Sequence, residues 1–213
     1  MISISSSYDL LCFLKEESLI DEKNEFWWPN DNSFEILLGS ILTQNTKWVN
    51  AEKSLENLRK LDIDNLEKLS CINLEELTIA ITPSGFKNQK SVRLIALAKK
   101  IIEDFNTFEN FCLKADRNWL LEQKGIGPET ADAILCYSCK QDYMVVDSYT
   151  NRLLKRFGYE FETYEELQAW CEYGINENYD KIAKLYNYEI SLNKIYARFH
   201  GKIIEFMKRN PKG

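Results

Sequence analysis

Gly125-Ile126-Gly127-Pro128 constrains this chain more than any other stretch. Two glycines bracket one apolar residue, and Pro128 follows where a helix would begin, a position at which its missing N–H costs nothing. The pattern reads as helix, tight turn, helix over about residues 115–138. A turn of this kind leaves backbone N–H groups pointing outward from a helix N-terminus, and such donors cradle a phosphate without needing side-chain charge. Lys124, within the turn, is placed to add a phosphate contact. Downstream, the apolar run Met144-Val145-Val146 delivers one carboxylate, Asp147, from the interior to the mouth of a cleft.

The rest of the chain repeats one period. Tyr8, Leu10, Leu11, Phe13 and Leu14 recur at helical spacing within residues 5–20, and Pro29 breaks the pattern after Phe26-Trp27-Trp28 because it disfavours helix at the residue before it. Asn32 or Ser33 can cap a helix carrying Phe34, Leu37, Leu38, Ile41 and Leu42, and Thr43-Gln44-Asn45-Thr46 interrupts it before a helix with Trp48, Leu55 and Leu58. Two short helices, each begun by Asp or Asn, fit between Asp62 and Ala80, and Thr82-Pro83-Ser84-Gly85-Phe86 is a turn. A long helix follows from about Asn88 to Phe105, with Lys87, Lys90 and Arg93 near its start. The helix dipole does not favour cations there, so these residues suggest a partner that supplies negative charge, with a solvated face as the ordinary alternative. Helical periodicity returns over 147–157, 164–173 and 180–207, and no stretch alternates as a strand would. The fold class predicted is all-α.

Length and charge narrow the possible partners. The 213 residues, 45% of them hydrophobic, allow one domain or two closely packed lobes with a sizeable core. No apolar run is long enough to span a bilayer and no export signal is visible, so the reading is an unexported, cytoplasmic protein with no membrane partner. The six cysteines are scattered rather than densely spaced, which fits a reducing compartment. A net charge of −6 counts against non-specific nucleic-acid binding, yet binding requires only one basic face. An acidic DNA-binding protein should hold undamaged DNA weakly and be sensitive to salt.

Several side chains carry chemistry beside an ordinary structural alternative. Asp147 can cap the helix that begins at Ser148, or, behind a phosphate-binding turn, can stabilise positive charge building on a sugar. Cys136-x-x-Cys139 lies within the second hairpin helix and reads as packing thiols rather than a metal or redox pair. Trp27-Trp28-Pro29 sits at a break between helices, where rings can line a cleft. Trp48 fits either that role or the core. His200, the only histidine, has no serine or cysteine partner for a nucleophilic triad, and Lys202, in an otherwise apolar run, reads as a snorkelling lysine.

The combination of hairpin, apolar run, Val146-Asp147-Ser148-Tyr149 and Arg152, in order, resembles the endonuclease III superfamily of helix-hairpin-helix DNA glycosylases. The resemblance covers nearly the whole chain. It implies two helical lobes flanking a DNA cleft, one a helical barrel of residues 27–140 containing the hairpin, the other joining 1–26 to 141–213 and carrying Asp147 as the catalytic residue. Relatives that cleave the backbone place a Schiff-base lysine where this chain has Glu129, so the resemblance implies a monofunctional enzyme. Iron–sulfur members carry four cysteines near the C-terminus. This chain has none after Cys171, so no cluster is expected, and neither is a catalytic metal or other cofactor. Gln44 and the Ser84-Gly85-Phe86 turn fall where superfamily members fill the space left by the flipped nucleotide and wedge the opposite strand. Gln44 could equally cap a helix.

Within the superfamily, the Trp-Trp-Pro segment, the Gln-Asn-Thr stretch, Ser-Gly-Phe-Lys-Asn-Gln, Glu129 and Phe-His-Gly-Lys are similar to the bacterial 3-methyladenine DNA glycosylase III branch. That likeness assigns Trp27, Trp28, Pro29, Trp48 and Lys202 to the base pocket, with Lys202 open to carbamylation. Relatives in the branch carry phenylalanine at the Trp48 position, which bears on the width of the pocket. DNA contacts then fall to Lys124, Gly125, Ile126, Gly127, Gln44, Ser84, Gly85 and Phe86. The expected activity is base excision repair by hydrolysis of the N-glycosidic bond of alkylated purines, chiefly 3-methyladenine, in double-stranded DNA, by a monomer associated with the bacterial nucleoid. The alternatives are a glycosylase for another damaged or mismatched base and a noncatalytic helix-hairpin-helix DNA-binding module.

Overall fold

In the computed structural model the predicted period becomes helix throughout, with no strand among the described residues, which are 4–20, 26–29, 33–186 and 188–211. Helix starts follow the small polar residues. Ser6 accepts from the Asp9 N–H at α1 (Ser7–Glu16), Asn65 caps α4 (Leu66–Cys71), and Asn73 caps α5 (Leu74–Ala80) by accepting from both Glu75 and Glu76. Ser33 is already the first residue of α2 (Ser33–Leu42) rather than its cap, and Asn32 lies outside the described residues. The helix α3 (Trp48–Lys60) follows the polar interruption, as expected.

The chain divides into two compact units, Asn30–Lys140 and Met1–Pro29 with Gln141–Gly213. The break falls after Pro29 instead of before Trp27. Its physical reason is Gly201: a Cβ there would lie 2.3 Å from Trp27 Cγ, so the indole is seated on the backbone of the last helix and joins that unit.

In the 30–140 unit, α6 (Lys87–Phe105) is the long central helix, flanked by α2, α4, α5 and α7 (Phe108–Lys114). The side chains of α2 from Ile36 to Leu42 are buried on every face, which makes it a core helix rather than the amphipathic one expected. The hairpin is α8 (Arg117–Leu121), a turn, and α9 (Pro128–Ala133), which continues as a wider π-type turn over Ile134–Ser138. Arg117 donates to the fully buried Asp132 at 2.9 Å, tying the two hairpin helices together. Cys136 and Cys139 are buried thiols, and Cys139 faces the Cys112 thiol.

In the other unit, α1, α10 (Ser148–Arg156), α11 (Tyr164–Asn176), α12 (Tyr179–Ala183) and α13 (Leu192–Arg209) enclose a core that includes Leu10, Leu14, Leu153, Cys171, Phe199 and Ile203. The single periodic stretch expected over 180–207 is two helices, with Ser191 capping the second. The intervening Tyr186 and Ile190 are buried, so the apolar period runs on through a segment that is not helical. Tyr179 Oη donates to the Ile190 carbonyl at 2.9 Å and closes that connection.

Candidate active site

Asp147 is positioned by three buried residues, Met144, Val145 and Val146, that run straight into α10. It is the N-cap of that helix: Oδ1 accepts from the Thr150 N–H at 2.8 Å and from Thr150 Oγ1 at 3.0 Å, while Thr150 Oγ1 in turn accepts from the Asp147 N–H at 3.3 Å. The cap engages only Oδ1 and leaves Oδ2 outside it. Oδ2 faces His200 Nε2 at 3.8 Å, with the carboxylate side chain 12% exposed. Burial alone would raise the Asp147 pKa. The His200 imidazole, by contact and by the charge it bears when protonated, together with the Thr150 donors, outweighs burial and holds the carboxyl below its ordinary range. The result is a largely enclosed carboxylate kept ionised with one oxygen uncommitted to the cap.

The same unit holds most of the expected pocket residues. Trp27, at φ +68°, lies edge-on to Trp28 (6.5 Å) and to His200 (5.8 Å), and its Nε1 donates to Glu205 at 3.4 Å. Trp28 is buried and Pro29 exposed. Lys202 is 1% exposed, so the snorkelling reading is corrected: its ammonium does not reach water, because the α13 face that carries it is enclosed. Trp48 opens α3 in the other unit and is half-buried.

The expected DNA-contacting residues all belong to the 30–140 unit, and among them Gln44 and Gly125 are hydrogen-bonded to each other. Gly125 takes φ +85°, and a Cβ there would lie 2.2 Å from Arg93 Nε, so the guanidinium packs on the turn's backbone. Gln44 Nε2 donates to the Gly125 carbonyl and to Thr130 Oγ1, both at 3.0 Å, and Arg93 donates to Gln44 Oε1 at 3.3 Å. Gln44 is thus braced against the hairpin instead of capping a helix. Lys124 and Gly127 are exposed, and Arg93, Lys100 and Lys124 flank a cavity of about 270 Å³ beside the turn.

Two of the expected contacts are corrected. Ile126 is 8% exposed and its N–H donates to the Gln123 carbonyl, so it anchors the turn instead of presenting a donor. Ser84 is fully buried, its hydroxyl donating to the Ile81 carbonyl at 2.8 Å. The adjoining Gly85 (φ +67°) and Phe86 (φ +47°, 61% exposed) are the residues that the turn displays. Lys90 is corrected as well. It is buried, and its ammonium is satisfied by the Leu42 carbonyl (2.8 Å), Thr46 Oγ1 (3.0 Å) and the Ser84 carbonyl (2.8 Å), not by an external anion. Desolvation, reinforced by the neighbouring Arg93 charge, lowers its pKa to about 8.

Sequence reasoning missed the pairing of His200 with Asp147 and the burial of Lys90. Fifty-three positions separate His200 from Asp147, so no local pattern links them. A signal did exist in the Phe-His-Gly-Lys run, where Gly201 marks the close approach of another group to α13.

Comparison with known proteins identifies the family. The model of the HhH-GPD superfamily base excision DNA repair protein matches residues 38–176. A Methanocaldococcus jannaschii protein named as a DNA repair glycosylase is 34% identical over 192 residues, covering 86% of this chain and 80% of its own. The crystal structure of the H. pylori 3-methyladenine DNA glycosylase MagIII, bound to 1,N6-ethenoadenine, superposes with a TM-score of 0.94 at 48% identity, covering 98% of this chain and all of that one. A trapped endonuclease III–DNA complex shares the fold, with a TM-score of 0.72 at 18% identity over 99% of this chain and 90% of its own. The chain belongs to the HhH-GPD superfamily of base excision DNA repair proteins and is a DNA glycosylase.

Proposed function

We propose that this glycosylase excises alkylated purines, chiefly 3-methyladenine, from double-stranded DNA by hydrolysis alone, acting as a monomer. The observation that carries the reading is the Asp147 carboxylate, ionised, capped through one oxygen and facing His200 with the other. As the C1′–N bond breaks, its electron pair leaves with the base and positive charge builds on the sugar. Asp147 stabilises that charge and orients water, which adds to C1′ as its proton passes to the carboxylate. A purine alkylated to a cation needs no strong acid, because departure neutralises it. Trp27, Trp28 and Pro29 supply apolar and π surface for such a base, with Trp48 assigned the same role by family likeness. Lys202, enclosed on α13, is assigned to the pocket and is a candidate for carbamylation. Lys124, Gly125 and Gly127 bind backbone phosphate, while Gln44 and Phe86 enter the duplex where the base leaves it.

Glu129, exposed at the position of the Schiff-base lysine in strand-cleaving relatives, cannot form an imine with C1′. The protein should therefore release free base from dimethyl-sulfate-treated duplex DNA, with 3-methyladenine ahead of 7-methylguanine. It should leave intact abasic strands and give no covalent complex on borohydride reduction. Borohydride trapping, or release of neither base, would overturn the reading.

A further inference from the structure

Lys90 is a buried cation whose ammonium is held by neutral oxygens. All three ammonium donors are spent on neutral oxygens from two different segments: Leu42, the last residue of α2, and Thr46 flank residues 43–45, and Ser84 precedes the displayed Gly85-Phe86 pair. Thr46 Oγ1 also donates to the Ser84 carbonyl, so both acceptor sites of that carbonyl are directed at this junction. One helical turn along α6, Arg93 continues the network by donating to Gln44 and packing on Gly125. A desolvated lysine is a costly way to join two loops, since burial disfavours its charged form. An apolar side chain at this position would fill the space, but it would remove the one donor that the Leu42 carbonyl, Thr46 Oγ1 and the Ser84 carbonyl share.

We infer that Lys90 is a positioning residue for base extrusion: its three-way contact fixes the Gln44 loop and the Phe86 turn in the register in which they enter the duplex. The inference rests on the proposed roles of Gln44 and Phe86. Extruding a paired base costs a few kcal/mol, and the cost is smallest when the base is already unpaired. The contribution of Lys90 is therefore confined to duplex DNA.

The test compares single-turnover release of methylated base from duplex DNA with release from the same DNA as separated strands. Lys90→Met should slow the duplex reaction about tenfold or more, a loss on the order of 1.4 kcal/mol of transition-state stabilisation, and leave the single-strand rate within about twofold. Lys90→Arg should restore part of the duplex rate. An equal loss on both substrates, or on neither, overturns the inference. If Lys90→Met does not melt cooperatively, Thr46→Val removes one of the three acceptors and must still produce a selective loss on duplex. Phe86→Ala separates the two levels of the argument. If it leaves the duplex rate untouched, the role given to the turn is wrong. If it slows duplex excision while Lys90→Met does not, only the role of Lys90 fails.

Discussion

At the scale of single residues, the candidate site turns on one carboxylate whose charge is held by its neighbours. Asp147 holds its charge inside the protein because Thr150 donates to one oxygen and His200 lies against the other. The sign of the resulting pH dependence follows from the lowered pKa. The interaction is fully present above the pKa of the carboxyl in the unfolded chain and is lost as pH falls through the lower folded value. An activity that requires the carboxylate should then persist to lower pH than an ordinary aspartate allows. His200→Leu removes the contact that lowers this pKa, so the acid limb of the single-turnover profile should move to higher pH, with the plateau rate affected less. An unchanged acid limb would show that His200 does not tune the carboxyl.

At the scale of elements, three helices carry the work. The position of α10 sets where the carboxylate emerges, and α13 brings His200 and Lys202 onto one unit with Trp27 seated at Gly201. The long α6 braces both loops through Lys90 and the hairpin through Arg93. Gly125 is the position where backbone conformation and packing coincide, since its φ of +85° disfavours any side chain and Arg93 occupies the space beyond. Gly125→Ala should cost about 1–2 kcal/mol of backbone strain in addition to displacing Arg93. The variant should bind duplex DNA several-fold more weakly in a low-salt titration while its melting temperature falls only modestly. Wild-type affinity would show that the turn does not contact the phosphates.

At the scale of the whole molecule, the helical period and the polar caps were legible because they are local. The all-α class, the hairpin, the short helices at Asn65 and Asn73 and the break at Pro29 can all be read from residues a few positions apart. The split of 180–207 into α12 and α13 was not legible, since buried Tyr186 and Ile190 keep the apolar period through a connection. Among the site residues, Asp147 stood out because a carboxylate directly follows an apolar run. Neither the seat of Trp27 on Gly201 nor the cage around Lys90 has a local signature, because both depend on residues distant in the chain. Lys90 in particular reads as a surface cation until its acceptors, 48 and 6 positions away, are known. The net charge of −6 is compatible with DNA binding because the cations beside the hairpin, Arg93 and Lys124, are grouped on one unit. Base excision on alkylated DNA should depend on Asp147. The most direct test is chromatographic measurement of free 3-methyladenine released from methylated duplex DNA by the wild type and by Asp147→Asn at equal DNA occupancy. The account predicts release by the wild type and a loss of at least about a hundredfold in the variant, the scale on which removal of a charge-stabilising group acts. Equal rates from the two proteins would contradict it.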